Sequence, residues 1–351
     1  MGSVELSKEE LVYRSRVDKV KSAVFAASPT SPMEGFEYFA SSLYIHKKED
    51  VAPIDENTKK SFKNSIYKPI KILTKHILKV MKGQKDSFKA LETYLRELEE
   101  NGRLLPPRQS LLNTYPNEGV WNDISELAAN KFRLKIGFTE VPEALIFKKK
   151  SILFKYAIVC IQEMDQNMMK DAPSVNASDE VIRIYKELGL AVNEIAGYLR
   201  KTYGIRCQSN HPLGGLTNTS PLAAKAGMGW QGHNGLVITP WYGQRLRIAT
   251  IFIEEPIFAY TDSLEHTWIE EFCKKCRKCE KNCQANAILP EKKISQANIP
   301  VIDNVRTCIN KEKCYDYFSK SFGCGKCVSV CPFSQGQEKY SQIKNGYFKN
   351  H

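Results

Sequence analysis

The sequence has no run of eighteen apolar residues, so a transmembrane helix is not expected. It also lacks the basic start and apolar stretch of a secretory signal, because Met1 to Glu10 are polar and acidic. No twin-arginine pair stands there either, so export is disfavoured and a cytoplasmic setting is expected. No internal repeat is visible apart from a pair of cysteine motifs towards the C-terminal end. Without an export signal, the eleven cysteines are expected to be reduced thiols or metal ligands rather than a disulfide framework.

What is present is ordinary in bulk and unusual in arrangement. The 351 residues are enough for two domains and an appendage, and 42% hydrophobic with 26% charged residues suits a globular chain with a real core. The formal charge of +12 counts every thiol as neutral. Two four-iron clusters, each −2 with its four thiolates, would leave it at roughly +8. Such a charge serves solubility, or suits an acidic partner such as an electron-donor protein or a nucleic acid.

Residues 1–115 read as a helical, basic N-terminal extension. Within them, Asn57 to Lys85 contains nine lysines and no acidic residue. Phe62, Ile66, Ile70, Leu73, Ile77 and Met81 recur at helical spacing, with Pro69 starting a second helix. The plain reading is a solvated helix face; the alternative is a docking surface for an acidic partner or an anionic membrane surface. Asn101-Gly102 and Pro106-Pro107 read as a linker.

From residue 116 to 265 the pattern is α/β, and residues 266–351 carry the cysteine motifs. A helix is expected over Val120 to Phe132, with strands at Leu134 to Phe138, Ala144 to Phe147 and Ile152 to Ile161. Ser178, with Asp179 and Glu180 behind it, is the expected N-cap of a helix reaching Tyr203. A helical stretch from Pro221 to Ala226 and strands at Leu236 to Thr239 and Leu246 to Ile253 complete the pattern.

Nine of the eleven cysteines fall between Cys273 and Cys331. Cys273-x2-Cys276-x2-Cys279-x3-Cys283 is the bacterial-ferredoxin run, in which three close thiolates hold one cluster and the fourth serves the other. Cys324-x2-Cys327-x3-Cys331-Pro332 has only three close cysteines, so its missing ligand lies upstream, at Cys314 or Cys308. We assign Cys273, Cys276, Cys279 and Cys331 to one [4Fe–4S] cluster, and Cys283, Cys314, Cys324 and Cys327 to a second. Structural zinc competes, but zinc sites usually pair two separated knuckles, which this tight run does not resemble. Gln284 departs from the proline usual after the fourth cysteine without altering the spacing.

Gly227-Met228-Gly229-Trp230-Gln231-Gly232 spells G-x-G-x-x-G. A dinucleotide fingerprint follows a strand and opens a helix; here a helical stretch precedes it and a strand follows, so NAD binding is not expected. Its glycines permit close backbone approach to something flat or large.

This stretch, AKAGMGWQGHNGLVITPWYGQRLRIATIF from Ala224 to Phe252, followed by the cysteine module, resembles the corrinoid-dependent iron–sulfur reductases. That superfamily contains epoxyqueuosine reductase and the reductive dehalogenases. The first half is similar to the former and the second half to the latter, over about residues 118–340. The resemblance implies an α+β chain: a nitroreductase-like α/β core that binds cobalamin without a protein lower ligand, followed by a ferredoxin-like double-cluster domain. The D-x-H-x-x-G motif that supplies a histidine ligand in another corrinoid class is absent. Gly227, Gly229, Trp230, Gly232, His233, Asn234, Gly235, Leu236, Thr239, Tyr242 and Arg247 are the positions implied to lie against the corrin, with backbone groups around His233, Asn234, Gly235 and Thr239 meeting its amides.

The resemblance also implies a proton donor. The dehalogenases use a tyrosine assisted by a cation; Tyr185 occupies the corresponding place, Asn210 matches a polar pocket residue, and Arg245 or Arg247 would be the cation. Epoxyqueuosine reductases carry an aspartate in a D-T-x-P segment, where this chain has Asn218-Thr219-Ser220-Pro221. An amide is not an acid, so reduction of a modified tRNA base is the less favoured alternative. The leading expectation is a reductase acting on a small organic molecule, fed by a low-potential donor such as an acidic ferredoxin or flavodoxin. A non-enzymatic electron carrier or corrinoid-reducing activator is the third class.

Overall fold

The computed structural model describes residues 116–146, 152, 154–210, 212, 216–290, 309–321 and 323–349. The lysine-rich stretch and the rest of the expected N-terminal extension lie outside these residues, as does Cys308.

Helix α1 (Glu118–Phe132) starts where the Asn117 side chain accepts the Val120 amide at 3.0 Å. Its Val120, Ile124 and Ala128, spaced by four, form one buried stripe. The chain then turns into a four-stranded antiparallel sheet of β1 (Leu134–Glu140), β2 (Tyr156–Glu163), β3 (Cys207–Asn210) and β6 (Leu246–Ile253), in the order β1-β2-β6-β3. Strand β2 is buried from Tyr156 to Gln162, as a near-continuous apolar run covered on both faces should be.

Period-two alternation sorts its side chains into two cores. Ala157, Val159 and Ile161, with Ile248 and Phe252, pack under helix α4 (Thr219–Lys225) and the hairpin of β4 (Trp230–Gln231) and β5 (Val237–Ile238). Ile158 and Cys160, with Ala249, Ile251 and Ile253, pack under α1 and the long helix α3 (Val175–Tyr203). The short helix α2 (Gln166–Met169) links β2 to α3.

Several boundaries differ from the expectation. Helix α3 begins a turn earlier: Ser174 accepts the Ala177 amide, while the Ser178 amide already donates to Ser174 O at 3.1 Å, inside the helix. The acidic pair after Ser178 imitated a cap signal within an established first turn. Of the strand expected over Ala144 to Phe147, the described residues form none: Glu143–Leu145 is a 3-10 turn, and Ile146 makes one isolated bridge to Thr217. A four-residue apolar run carries too little periodicity to separate these outcomes. Strand β2 starts at Tyr156, four residues later than expected, and β3 was not anticipated because Cys-Gln-Ser-Asn has no apolar alternation.

The cysteine module comprises α5 (Trp268–Cys276), α6 (Lys278–Lys281), α7 (Lys311–Lys320), α8 (Lys326–Ser329), a 3-10 turn at Pro332–Gln335 and α9 (Gln337–Lys349). It packs through an aromatic cluster of Trp268, Phe333 and Tyr340 with Ile269, Cys273 and Cys331, which Ile238 of the hairpin enters from the sheet domain. Fully burying a side chain such as Phe333 contributes about 1.5–3 kcal/mol.

Candidate iron–sulfur and cofactor site

Two distant cysteine stretches interleave. The Cys331 thiol lies within electrostatic range of Cys279 and Cys276, and it shares an apolar cluster with Cys273. The Cys327 thiol lies within electrostatic range of Cys314, Cys324 and Cys279, and Cys324 within range of Cys283. The stretches are also stitched by an Ile288–Ile309 bridge and by the Asn310 amide, which donates to Ala287 O at 2.7 Å.

This environment tests whether the residues suit an iron–sulfur group. Burial first, then neighbouring thiols, pushes Cys331 up to about 12 and Cys327 well above the ordinary thiol range. Backbone amides act the other way: those of Phe333 and Ser334 point at the Cys331 sulfur, and that of Lys326 at Cys324. Thiols that resist ionisation alone, yet have amides aimed at their sulfurs, need a cationic centre to become thiolates. The donor set fits iron. Cys160 and Cys207 stand apart, buried in the sheet core, where desolvation raises both thiols.

The glycine-rich loop packs against its own chain. A side chain on Gly227 (φ +68) would meet Thr261 O at 2.1 Å, and one on Gly229 would meet Ile238 O at 2.1 Å. The close backbone approach expected of these glycines is thus made within the protein. The Gly235 amide donates to Gly232 O and the Thr239 amide to Gly243 O, each at 2.9 Å, and the Leu236 amide to Asn234 Oδ1 at 3.3 Å. These donors, which the resemblance offered to a corrin, are already paired.

The loop's side chains reach the cysteine module. His233 Nε2 lies 3.0 Å from Leu289 O and 3.3 Å from Glu280. Asn234 and Gln244 form a reciprocal amide pair at 2.7 and 3.0 Å, and Asn234 also hydrogen-bonds the Cys327 thiol. Leu236 and Cys327 pack against the same core. Gly232 is buried against Ile238 and Gln244, and Trp230 is half-buried over the first core.

The expected catalytic residues do not converge as one group. The Arg247 guanidinium stands over the Tyr185 ring at 5.0 Å, so Arg247 is the cation beside the tyrosine. Tyr185 is buried; desolvation raises its phenol and Arg247 partly offsets that. Arg247 pairs across the sheet with Gln162, and both lie on the α3 side. Asn210 pairs with Thr250, one position out of phase with Ala249 and Ile251, so its side chain emerges on the other face, where it donates to Thr250 Oγ1 at 3.2 Å. Arg245 is engaged elsewhere: Nη1 donates to Glu163 Oε1 at 2.9 Å and to Met164 O at 2.5 Å, and Nε donates to Ser334 O. Neither Asn210 nor Arg245 completes the constellation that the resemblance implied.

A cleft of about 760 Å³ opens on the α3 side, lined among others by Phe132, Gln162, Glu163, Arg183, Glu187 and the half-buried Tyr242. Gln162 Oε1, in its wall, has no hydrogen-bond partner, and neither does Nε of the cross-strand Arg247. A polar ligand group could satisfy this acceptor and donor.

A mixed sheet-and-helix domain joined to two interleaved thiol sets defines a protein of the iron–sulfur class. The family profile of the 4Fe-4S dicluster domain matches residues 272–335, which bears out the expectation of two [4Fe–4S] clusters. The tetrachloroethene reductive dehalogenase of Dehalobacter restrictus is 31% identical over 198 residues, covering 54% of this chain and 34% of that protein. An epoxyqueuosine reductase of Listeria monocytogenes is 25% identical over 135 residues, covering 38% of this chain and 34% of the relative. The solved structure of a catabolic reductive dehalogenase superposes with a TM-score of 0.52 at 20% identity, over 60% of this chain and 31% of that one, and so shares the fold. The chain spans about a third of the length of these curated relatives. Its homologues are reductases of both types, so the resemblance to the corrinoid-dependent iron–sulfur reductases is supported.

Proposed function

We propose that this chain is a cobalamin-dependent iron–sulfur oxidoreductase that passes electrons through two [4Fe–4S] clusters to a corrinoid and reductively cleaves a bond in a small organic molecule. The observation that carries this reading is the interleaving of the thiols, with Cys331 beside Cys276 and Cys279 while Cys324 lies beside Cys283. It supports a reading in which two electron-carrying groups lie against one sheet domain. Relatives that are reductive dehalogenases favour a carbon–halogen bond as the target. The nitroreductase-like character of the core and a cytoplasmic setting belong to the same reading.

In this reading, Cys273, Cys276, Cys279 and Cys331 hold one cluster, and Cys283, Cys314, Cys324 and Cys327 the other. When bound, the corrinoid supplies a strongly reducing, nucleophilic metal centre. Replacing carbon–halogen by carbon–hydrogen takes two electrons and one proton and releases halide. Tyr185 Oη is the proton source, and Arg247 moderates the burial that raises its phenol, so the group can give and regain a proton. Gln162 and Arg247 offer unpaired polar atoms to the bound ligand. An acidic low-potential protein is the matching electron donor for a basic chain.

The test is halide release from chlorinated or brominated aromatics and alkenes by anaerobically prepared protein supplied with cobalamin and a reduced viologen. Tyr185→Phe should keep iron and corrinoid while losing turnover by about 10²-fold or more. Unchanged kinetics in that variant remove Tyr185 from the mechanism. Absence of corrinoid binding together with absence of turnover overturns the reading.

A further inference from the structure

Arg245 is almost fully withdrawn from solvent, with 4% of its side chain exposed. A buried guanidinium is retained only where its donors meet acceptors, and here they join two parts of the molecule. Nη1 holds Glu163 Oε1 and Met164 O at the end of β2, and Nε holds Ser334 O in the cysteine module. Ser334 is three residues beyond Cys331: its amide donates to Cys331 O at 2.9 Å and, with that of Phe333, points at the Cys331 sulfur.

The neighbouring residues lock the same contact. The Gln244 amide donates to Ser334 Oγ at 3.4 Å. Gly243 lies so close to Phe333 that any side chain there would fall 2.2 Å from the Phe333 carbonyl carbon. The 243–245 turn is therefore seated on the 333–334 turn, with a fixed positive charge one residue from the amides that face Cys331. The Glu163 carboxylate is 46% exposed, so water screens much of its countercharge while the guanidinium stays dry.

We propose that Arg245 is a positioning residue for the cluster that Cys331 would help hold: it fixes the Cys331 turn on the sheet domain and raises that cluster's reduction potential. Reduction adds a negative charge to the cluster, and a nearby buried cation stabilises the reduced form more than the oxidised one. Charge and hydrogen bonding around the sulfurs are established determinants of such potentials. The inference rests on the proposed assignment of Cys331 as a cluster ligand, and on no step of the substrate reaction.

The experiment is a potentiometric titration of the two-cluster protein followed by electron paramagnetic resonance, with iron counted in every sample. Arg245→Met should lower one cluster's potential and leave the other in place, a shift of about tenfold in the reduction equilibrium, or about 59 mV for one electron. Arg245→Lys keeps the charge and should restore most of that shift. Glu163→Gln removes the countercharge at a half-exposed position and should move the same cluster in the opposite direction. Should Arg245→Met lose iron, Arg245→Gln, which keeps side-chain donors without the charge, takes its place, and an unaltered potential in that variant overturns the proposal. Unaltered potentials in Glu163→Gln and in iron-replete Arg245→Met, or equal shifts of both clusters, overturn the proposal. Wild-type protein without iron would instead refute the cluster reading itself.

Discussion

Cys314 and Cys308 lie six positions apart, and the spacing of the motifs alone leaves open which completes the second set. The fold brings Cys314, on α7, within electrostatic range of Cys327. Cys314→Ala should therefore lower bound iron to about half or destabilise the module, because ligation energy is also folding energy. Cys308→Ala should retain full iron. Iron analysis of the two variants side by side checks this, and the reverse pattern would transfer the ligand to Cys308. The residue scale is also where the sequence was least legible. The cysteines announce their chemistry by spacing, whereas the side chains of Asn234 and Arg245 turn towards the cysteine module for reasons that exist only after the loop has docked. The resemblance implied Asn234 as a corrin contact and Arg245 as a cation beside the tyrosine, because it registers residue types and not the direction in which they point.

Among the elements, α3 gives the sharpest test, since its start moved by one turn. Ser174→Ala removes the oxygen that accepts the Ala177 amide and should cost about 1 kcal/mol, within the 0.5–2 range of such caps. Ser178 is inside the helix, so Ser178→Ala should be close to neutral. Denaturant unfolding of the cluster-loaded variants distinguishes them, and equal losses would return the cap to Ser178. The elements that the sequence revealed are those with long or strongly patterned burial. Helix α1 has its apolar stripe, β6 its run from Leu246 to Ile253, and β2 most of its apolar length. The missed ones owe their form to their partners: β3 is a strand because β6 offers it an edge, and Ile146 makes only a single bridge because Thr217 does.

Across the whole molecule, the sheet domain and cysteine module meet through Ile238, Gly243, Gln244, Arg245 and His233. All five lie between β4 and β6, so the glycine-rich stretch that resembled a cofactor loop is also the joint between the halves. No helix among the described residues is long and apolar enough to cross a membrane. The broad division into an α/β part and a cluster part was legible because apolar periodicity and cysteine spacing change abruptly along the chain. The joint was not, because it depends on turns whose contacts lie about ninety residues apart, as between Gln244 and Ser334. The account stands or falls on the thiol sets holding clusters. Its most direct measurement is iron and acid-labile sulfide per chain in anaerobically purified protein, with the absorbance spectrum. The account predicts about eight of each and a brown protein bleached by dithionite; a folded, colourless protein holding zinc or no metal would contradict it.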